Sequence, residues 1–457
     1  MEKVTVLGPP GTGKTHFIES DIKQHSRNEG YTYIVYNVGM AKEARQRLDA
    51  PKDVAGTLHS MVARKLGLHS FVEQKEINEW ATKEGLSIKS TQEHESDLNR
   101  FLTAYDYHAN TMTNPMKVLS EKLDIPYLTD RYDSWKMKLG KMDYTDILKE
   151  GAEHDYYSPT LYLDEAQDLT PLMWKIIDRW SCERRVIVGD DDQAIYSFRG
   201  ASLPLFKGHI EKPQILDTSY RFGDNVRKAA DLILGTARKI QKNYIGIGET
   251  EIRRMSWNDF ISLDGSKAIL VRTNRMAYQL STTQGAAIFP INKEHSYSNG
   301  WTHRVMRLAD IMRRFPQISS EEFQYVVKYS PADMWVRGTK ARILKQPDIF
   351  SYNLMKKRLG NSDIVERMEI KPEEKRNIMM SLLRGLPPVV FLDTMHSVKG
   401  MEWDHVLVAS DRPGNIFVND DERRLLYVAA TRARQSLSFL YFNFYKQYYE
   451  NLRAIGF

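Results

Sequence analysis

The chain has 457 residues, enough for two to four domains, and its 42% hydrophobic and 27% charged residues are those of an ordinary folded protein with more than one core. A net charge of +6 is compatible with a polyanionic partner, and equally with plain solubility. The single cysteine, Cys182, excludes an internal disulfide and any cysteine-ligated zinc or iron–sulfur centre. No apolar run approaches the roughly 18 residues of a membrane span, and no signal peptide is expected ahead of the fold.

In chain order, Lys3–Leu7 reads as a buried strand ending at Gly8, and residues 14 to 25 as a helix. A second strand follows at Tyr31–Tyr36 and a second helix at Ala41–Leu48. Strand, helix, strand, helix implies a parallel sheet with helices on its faces. From Gly67 to Tyr156 the chain turns helical, polar and aromatic, with Trp80, Phe101, Tyr105, Tyr107, Tyr132 and Trp135. Strand patterns return at Thr160–Leu163 and Arg185–Val188. After Pro213 a second such pattern begins, with strands expected near Gln214–Leu216, Ala268–Val271, Val389–Leu392 and His405–Ala409. Helices are expected between them at Glu321–Val327, Ala332–Trp335, Asp363–Met368 and Glu373–Leu383, the last starting at Pro372. The expected organisation is one α/β domain of residues 1–66 and 157–212 with a helical insertion at 67–156. A second α/β domain of residues 213–291 and 388–457 carries a small helical insertion at 292–387.

Gly8, Pro9, Pro10, Gly11, Thr12, Gly13, Lys14 and Thr15 match G-x-x-x-x-G-K-[ST] in full. Gly11 and Gly13 let main-chain amides curl around phosphate oxygens, and the helix that follows aims its N-terminus at the anion. Lys14 can reach the β- and γ-phosphates, and the Thr15 hydroxyl can ligand Mg²⁺. A strand before the motif and a helix after it favour a phosphate loop over a plain glycine turn. Downstream, the apolar strand at Leu161 to Leu163 ends in Asp164 and Glu165. The first acid can hold Mg²⁺ beside the phosphate loop, and the second can polarise the attacking water.

Asp164, Glu165, Ala166, Gln167 and Asp168 resemble the D-E-A-Q-D box of UvrD/Rep/PcrA-type DNA helicases, superfamily one, subgroup A. Further blocks resemble that family in its order. They are Thr57 to Ser60, Val188 to Ala201, Leu216 to Arg221, Leu270 to Asn274, Thr394 to Trp403 and Glu422 to Ala433. The resemblance implies two RecA-like α/β domains, each with a helical insertion, that bind ATP and Mg²⁺. It implies that Lys14, Asp164, Glu165, Gln193, Arg221 and Arg432 form the catalytic set, with Gln193 sensing the γ-phosphate and the two arginines stabilising transition-state charge. Arg221 and Arg432 are both expected from the second α/β domain, so that the two domains close on ATP. Tyr220 is expected to stack on the adenine and Glu402 to bond the ribose or nearby water. His59, Ser60, Tyr196, Phe198, Arg199 and His396 are the expected contacts to single-stranded DNA; structural roles compete for the histidines and for Tyr196. Lys136, Lys138 and Lys141 are candidates for duplex contacts, a solvated face being the competing role.

The implied activity is 3′-to-5′ movement along single-stranded DNA coupled to strand separation at single-strand/duplex junctions. The short second insertion keeps open a translocase that displaces bound proteins, and a nucleotide-switched clamp is a third reading. Implied location is the cytoplasm of a bacterium or a virus-infected cell, at the nucleoid. Three departures stand out. No Gln lies among the seven residues before Gly8, so adenine preference is less anchored than in the family. Tyr36, Asn37, Val38 and Gly39 replace the family's F-T-N-K segment, and Ser219 replaces the Asn before Tyr220.

Overall fold

The computed structural model describes residues 1–26, 29–88, 96–114, 123–253, 255, 257–273, 276, 288–289, 311, 320–329, 390–409 and 419–439. The chain divides into two compact units, residues 1–249 with 414–431, and residues 250–413 with 432–457.

The first unit is built on six parallel strands: β1 (Glu2–Leu7), β2 (Tyr31–Val35), β3 (Ala55–Thr57), β4 (Thr160–Leu163), β5 (Arg184–Gly189) and β6 (Gln214–Ile215). Their order across the sheet is β3–β2–β4–β5–β1–β6. Both faces of this sheet are covered, which is why its strands read as near-continuous apolar runs. Val6, Tyr33, Val35, Tyr162, Val186 and Val188 face one core, and Leu7, Ile34, Leu161, Leu163 and Ile187 alternate onto the other. Helices α1 (Lys14–Asp21) and α2 (Val38–Leu48) cover the first face, while α3 (Leu58–Lys65) covers the second.

The helical insertion carries α4 (Gln74–Lys83), α5 (Asp97–Thr111), α6 (Ile125–Leu139) and α7 (Tyr144–Gly151). Ser96 caps α5 and Asp124 caps α6, and Gly140 ends α6 in the left-handed region at φ 62°. The aromatic residues of this stretch form its core, with Trp80, Phe101, Tyr105 and Tyr132 packed together. Two of the expected duplex contacts are otherwise engaged. Lys136 is buried, 2.8 Å from Asp143 and 2.6 Å from Asp146, and Lys141 bonds Glu76 at 2.7 Å. Lys138 alone of the three is exposed and has no such pairing among the described residues.

Helices α8 (Pro171–Asp178), α9 (Leu203–His209), α10 (Asp224–Leu234) and, after a long excursion of the chain, α13 (Asp420–Ala430) complete the first unit. Here the structure differs from the sequence expectation. Residues 214–215 add to the edge of the first sheet, Val6 opposite Gln214 and Leu7 opposite Ile215, rather than to the second. A two-residue strand has no side-chain alternation that could announce its sheet.

The second unit holds a separate parallel sheet of β7 (Glu251–Arg253), β8 (Lys267–Val271), β9 (Ile288–Phe289), β10 (Val390–Thr394), β11 (Trp403–Ala409) and β12 (Ala433–Phe439). Its order is β7–β12–β11–β8–β10–β9. Helices α11 (Trp257–Ser262) and α12 (Ser320–Tyr329) lie between β7 and β10 in the chain, and Phe260, Ile269, Val271, Leu392 and Leu407 form the core. The expected helix Glu321–Val327 is part of α12; those at Ala332–Trp335, Asp363–Met368 and Glu373–Leu383 lie outside the described residues. The architecture is α/β, with two six-stranded parallel sheets and two small two-stranded ones among the described residues. No helix among the described residues is long and apolar enough to cross a membrane.

Candidate functional site

The phosphate loop joins β1 to α1. Gly11 and Gly13 adopt φ 76° and 82°, the left-handed region that only glycine enters without strain. Gly11 also needs to be small. A Cβ there would stand 2.6 Å from Arg221 Cβ and 2.7 Å from Ser219 Oγ. The segment carrying Arg221 therefore lies against the loop within the first unit, although the sequence assigns Arg221 to the second domain. Tyr220 N donates to Gly11 O at 3.0 Å, and the Ser219 hydroxyl donates to Pro10 O at 2.8 Å. That bond gives a role to the serine that departs from the family pattern. Tyr220 itself is 69% exposed, so its ring is open to a planar ligand beside the loop.

Lys14 Nζ donates to Gly8 O at 2.9 Å and lies 3.7 Å from Glu165 Oε1. Asp164 ends β4, buried, with Tyr33 Oη donating to Oδ2 at 2.9 Å and the Glu165 amide to Oδ1 at 2.9 Å. Burial, and next the Glu165 charge, push the Asp164 carboxyl up to about 6. A buried oxygen pair with excess negative charge beside a phosphate loop is one that a hard cation would relieve, so the donor set fits Mg²⁺. Thr15, in the first turn of α1, and Asp164 are the residues that would hold it.

Glu165 sits at φ 51°, a strained conformation for a non-glycine residue. Its Oε2 accepts from Gln167 Nε2 at 2.6 Å, and Gln167 Oε1 accepts from Asp190 N at 2.9 Å. Asp190 Oδ2 in turn accepts from Gln193 Nε2 at 2.7 Å. A hydrogen-bonded chain thus joins Glu165 to Gln193. The D-E-A-Q-D spelling contains Gln167, but neither its role nor that of Tyr33 is legible in the sequence.

The aromatic block follows Gln193 directly. Phe198 is 52% exposed, whereas Tyr196 stacks on Tyr36, with ring centroids 4.9 Å apart and planes at 17°. Tyr36 is one of the residues that depart from the family's F-T-N-K segment. The Arg199 guanidinium lies 5.7 Å from both the Tyr196 and Phe198 rings. On α3, His59 meets the edge of Tyr144, with ring centroids 6.1 Å apart. Burial lowers its pKa to about 4, so the ring is neutral at pH 7 and offers an N–H rather than a charge. The Ser60 hydroxyl donates to Thr57 O at 2.9 Å and accepts from Arg64 at 2.9 Å.

Three expected site residues belong to the second unit. His396 follows β10 in the turn at 395–400. Glu402 is ion-paired to Arg434. Arg432 is buried, donates to Met401 O at 3.2 Å and accepts through its carbonyl from Trp403 N at 3.0 Å.

Comparison with known proteins agrees with this geometry at both ends of the chain. An AAA domain family matches residues 1–199, and the UvrD-like helicase C-terminal domain family matches residues 389–440. In its C-terminal part the chain is thus similar to the UvrD-like helicases. Among curated relatives, F-box DNA helicase 1 of Gallus gallus is 28% identical over 298 residues, covering 61% of this chain and 28% of that protein. F-box DNA helicase protein 1 of Schizosaccharomyces pombe is 25% identical over 313 residues, covering 63% and 34%. Gabija protein GajB of Bacillus cereus is 21% identical over 500 residues, covering 98% of this chain and 95% of that one. The chain therefore spans about a third of the length of the first two relatives and nearly all of the third.

Proposed function

We propose that this UvrD-like protein is an ATP-dependent DNA helicase that moves 3′-to-5′ on single-stranded DNA and separates strands at junctions. The observation that carries the reading is the hydrogen-bonded chain from Glu165 through Gln167 and Asp190 to Gln193, which leads straight into the Phe198 block. It supports a link between the group that would activate water and the aromatic that would stack on DNA.

In this reading the phosphate-loop amides and Lys14 bind the ATP phosphates, and the exposed Tyr220 ring takes the adenine. Glu165 draws the proton from the attacking water, and Gln193 senses the γ-phosphate. Arg221, against Gly11, offsets charge on the transferring phosphoryl group; Arg432 is proposed as the second such arginine, and Glu402 as a ribose or water ligand. Bound Mg²⁺, held by Thr15 and Asp164, supplies charge neutralisation on the phosphates. Phe198 and Arg199 stack on unpaired bases, with Tyr196 as their support, and His59, Ser60 and His396 contact the strand.

The test is ATP turnover with Mg²⁺, with and without a single-stranded DNA oligomer. Strong stimulation by DNA is expected. A slow rate indifferent to DNA overturns the motor in favour of a nucleotide-switched clamp.

A further inference from the structure

Three successive carboxylates, Asp190, Asp191 and Asp192, follow β5, and all three are buried. One cation serves them together. Lys242 Nζ lies 2.5 Å from Asp190 Oδ1, 2.5 Å from Asp191 Oδ1 and 2.9 Å from Asp192 Oδ2. The contacts to Asp190 and Asp192 are hydrogen bonds, and that to Asp191 is an ion pair. The Lys242 side chain has no exposure at all. Arg238, four residues earlier in sequence, lies 3.2 Å from Asp192 and 2.7 Å from Asp231. The acidic triplet is thus not a vacant cation site: an ammonium stands where a metal ion would.

Asp190 is the junction of this cluster with the catalytic chain. Its Oδ1 is held by Lys242 and accepts from the Asp192 amide at 3.2 Å, its Oδ2 receives Gln193 Nε2, and its amide donates to Gln167, which holds Glu165. With Oδ1 tethered, the carboxylate cannot rotate and Oδ2 stays aimed at Gln193. Without Lys242, only the 3.2 Å bond from the Asp192 amide would hold Oδ1, and rotation about two side-chain bonds would let the carboxylate leave Gln193, while the main-chain bond to Gln167 would stay. We propose that Lys242 is a positioning residue for ATP hydrolysis, fixing the Asp190 carboxylate so that Gln193 holds its working geometry. This rests on the role given above to Gln193.

The experiment compares wild-type protein, Lys242→Met, and Lys242→Met combined with Asp191→Asn. Each is measured for melting temperature and for kcat and KM of DNA-stimulated ATP hydrolysis. The single variant leaves three buried carboxylates without their ammonium and is expected to melt lower. The double variant removes one of those charges and is expected to regain stability. Asp191 takes no part in the Glu165-to-Gln193 chain, so positioning is not restored. Both variants are therefore expected to lose roughly 10- to 100-fold in kcat, with KM for ATP nearly unchanged. Recovery of kcat together with melting temperature in the double variant makes Lys242 a counter-ion only and overturns the proposal. Turnover by the folded single variant at the wild-type rate overturns it as well. A wild-type protein without turnover overturns the ATPase reading itself, and this role with it.

Discussion

At the scale of residues, the site depends on a few charges whose surroundings set their behaviour. Glu165 combines a strained backbone, a 3.7 Å approach to Lys14 and a bond from Gln167, so its carboxylate is aimed before any nucleotide arrives. Glu165→Gln keeps the volume and removes the base. Hydrolysis is expected to fall about 10²- to 10⁴-fold while ATP binding, followed by a fluorescent analogue, persists. Turnover near wild type would remove Glu165 from the chemistry. His59 gives a prediction in pH. Its folded-state pKa of about 4 lies below the ordinary value of 6.5, because burial outweighs the pull of the Asp106 carboxylate. The unfolded chain therefore takes up a proton that the folded chain refuses between those values. The stabilisation is present above about pH 6.5 and is lost as pH falls toward about 4. His59→Gln should make the acid decline of melting temperature shallower across that window. An unchanged decline would mean that the ring is solvated and free to protonate.

Elements explain both what the sequence made legible and what it hid. The phosphate loop, the Asp164–Glu165 pair and the Gln193 block are each encoded within a few consecutive residues, and a strand or helix boundary fixes them. Tyr33 and Asp164 are 131 residues apart, and Lys242 and Asp190 are 52 apart. No periodicity connects such partners, because they meet only through the order of strands in the sheet. A lone lysine in a polar stretch reads as a solvated charge, and Lys136 and Lys242 are instead buried among carboxylates. Residues 213–249 fall in the first unit rather than the second for a related reason. The two-residue strands there pair by backbone alone, with Ile245 opposite Thr218 and Gly246 opposite Ser219. Glycine is what permits that pairing. A Cβ on Gly246 would stand 2.6 Å from Phe222 O and 2.7 Å from Gly223 C, backbone atoms that cannot swing aside. Gly246→Ala should destabilise the fold by about 1–3 kcal/mol and loosen the Tyr220–Arg221 segment beside the phosphate loop. A melting temperature equal to wild type, with ATP affinity intact, would show that the pairing is dispensable.

For the whole molecule, the question is how a chain with a modest net charge of +6 could follow a strand without reading its sequence. Stacking is the mechanism the exposed groups favour, since every base has a π-face and each stack contributes roughly 1–3 kcal/mol. Phe198 is half exposed and flanked by the Arg199 guanidinium, while Tyr196 is already stacked on Tyr36 and serves better as its backing. Loss of one such stack converts, at 1.4 kcal/mol per tenfold, to a weakening of roughly 5- to 150-fold. Phe198→Ala should accordingly raise the concentration of single-stranded DNA that half-stimulates ATP hydrolysis by that factor. The shift should be alike for oligo-dT and for an unstructured mixed sequence, because no base edge is read. Tyr36→Ala should produce a smaller shift in the same direction, by withdrawing the support from Tyr196. Equal half-stimulation in wild type and Phe198→Ala would take the ring off the track. A shift confined to one base sequence would point to edge recognition in place of stacking.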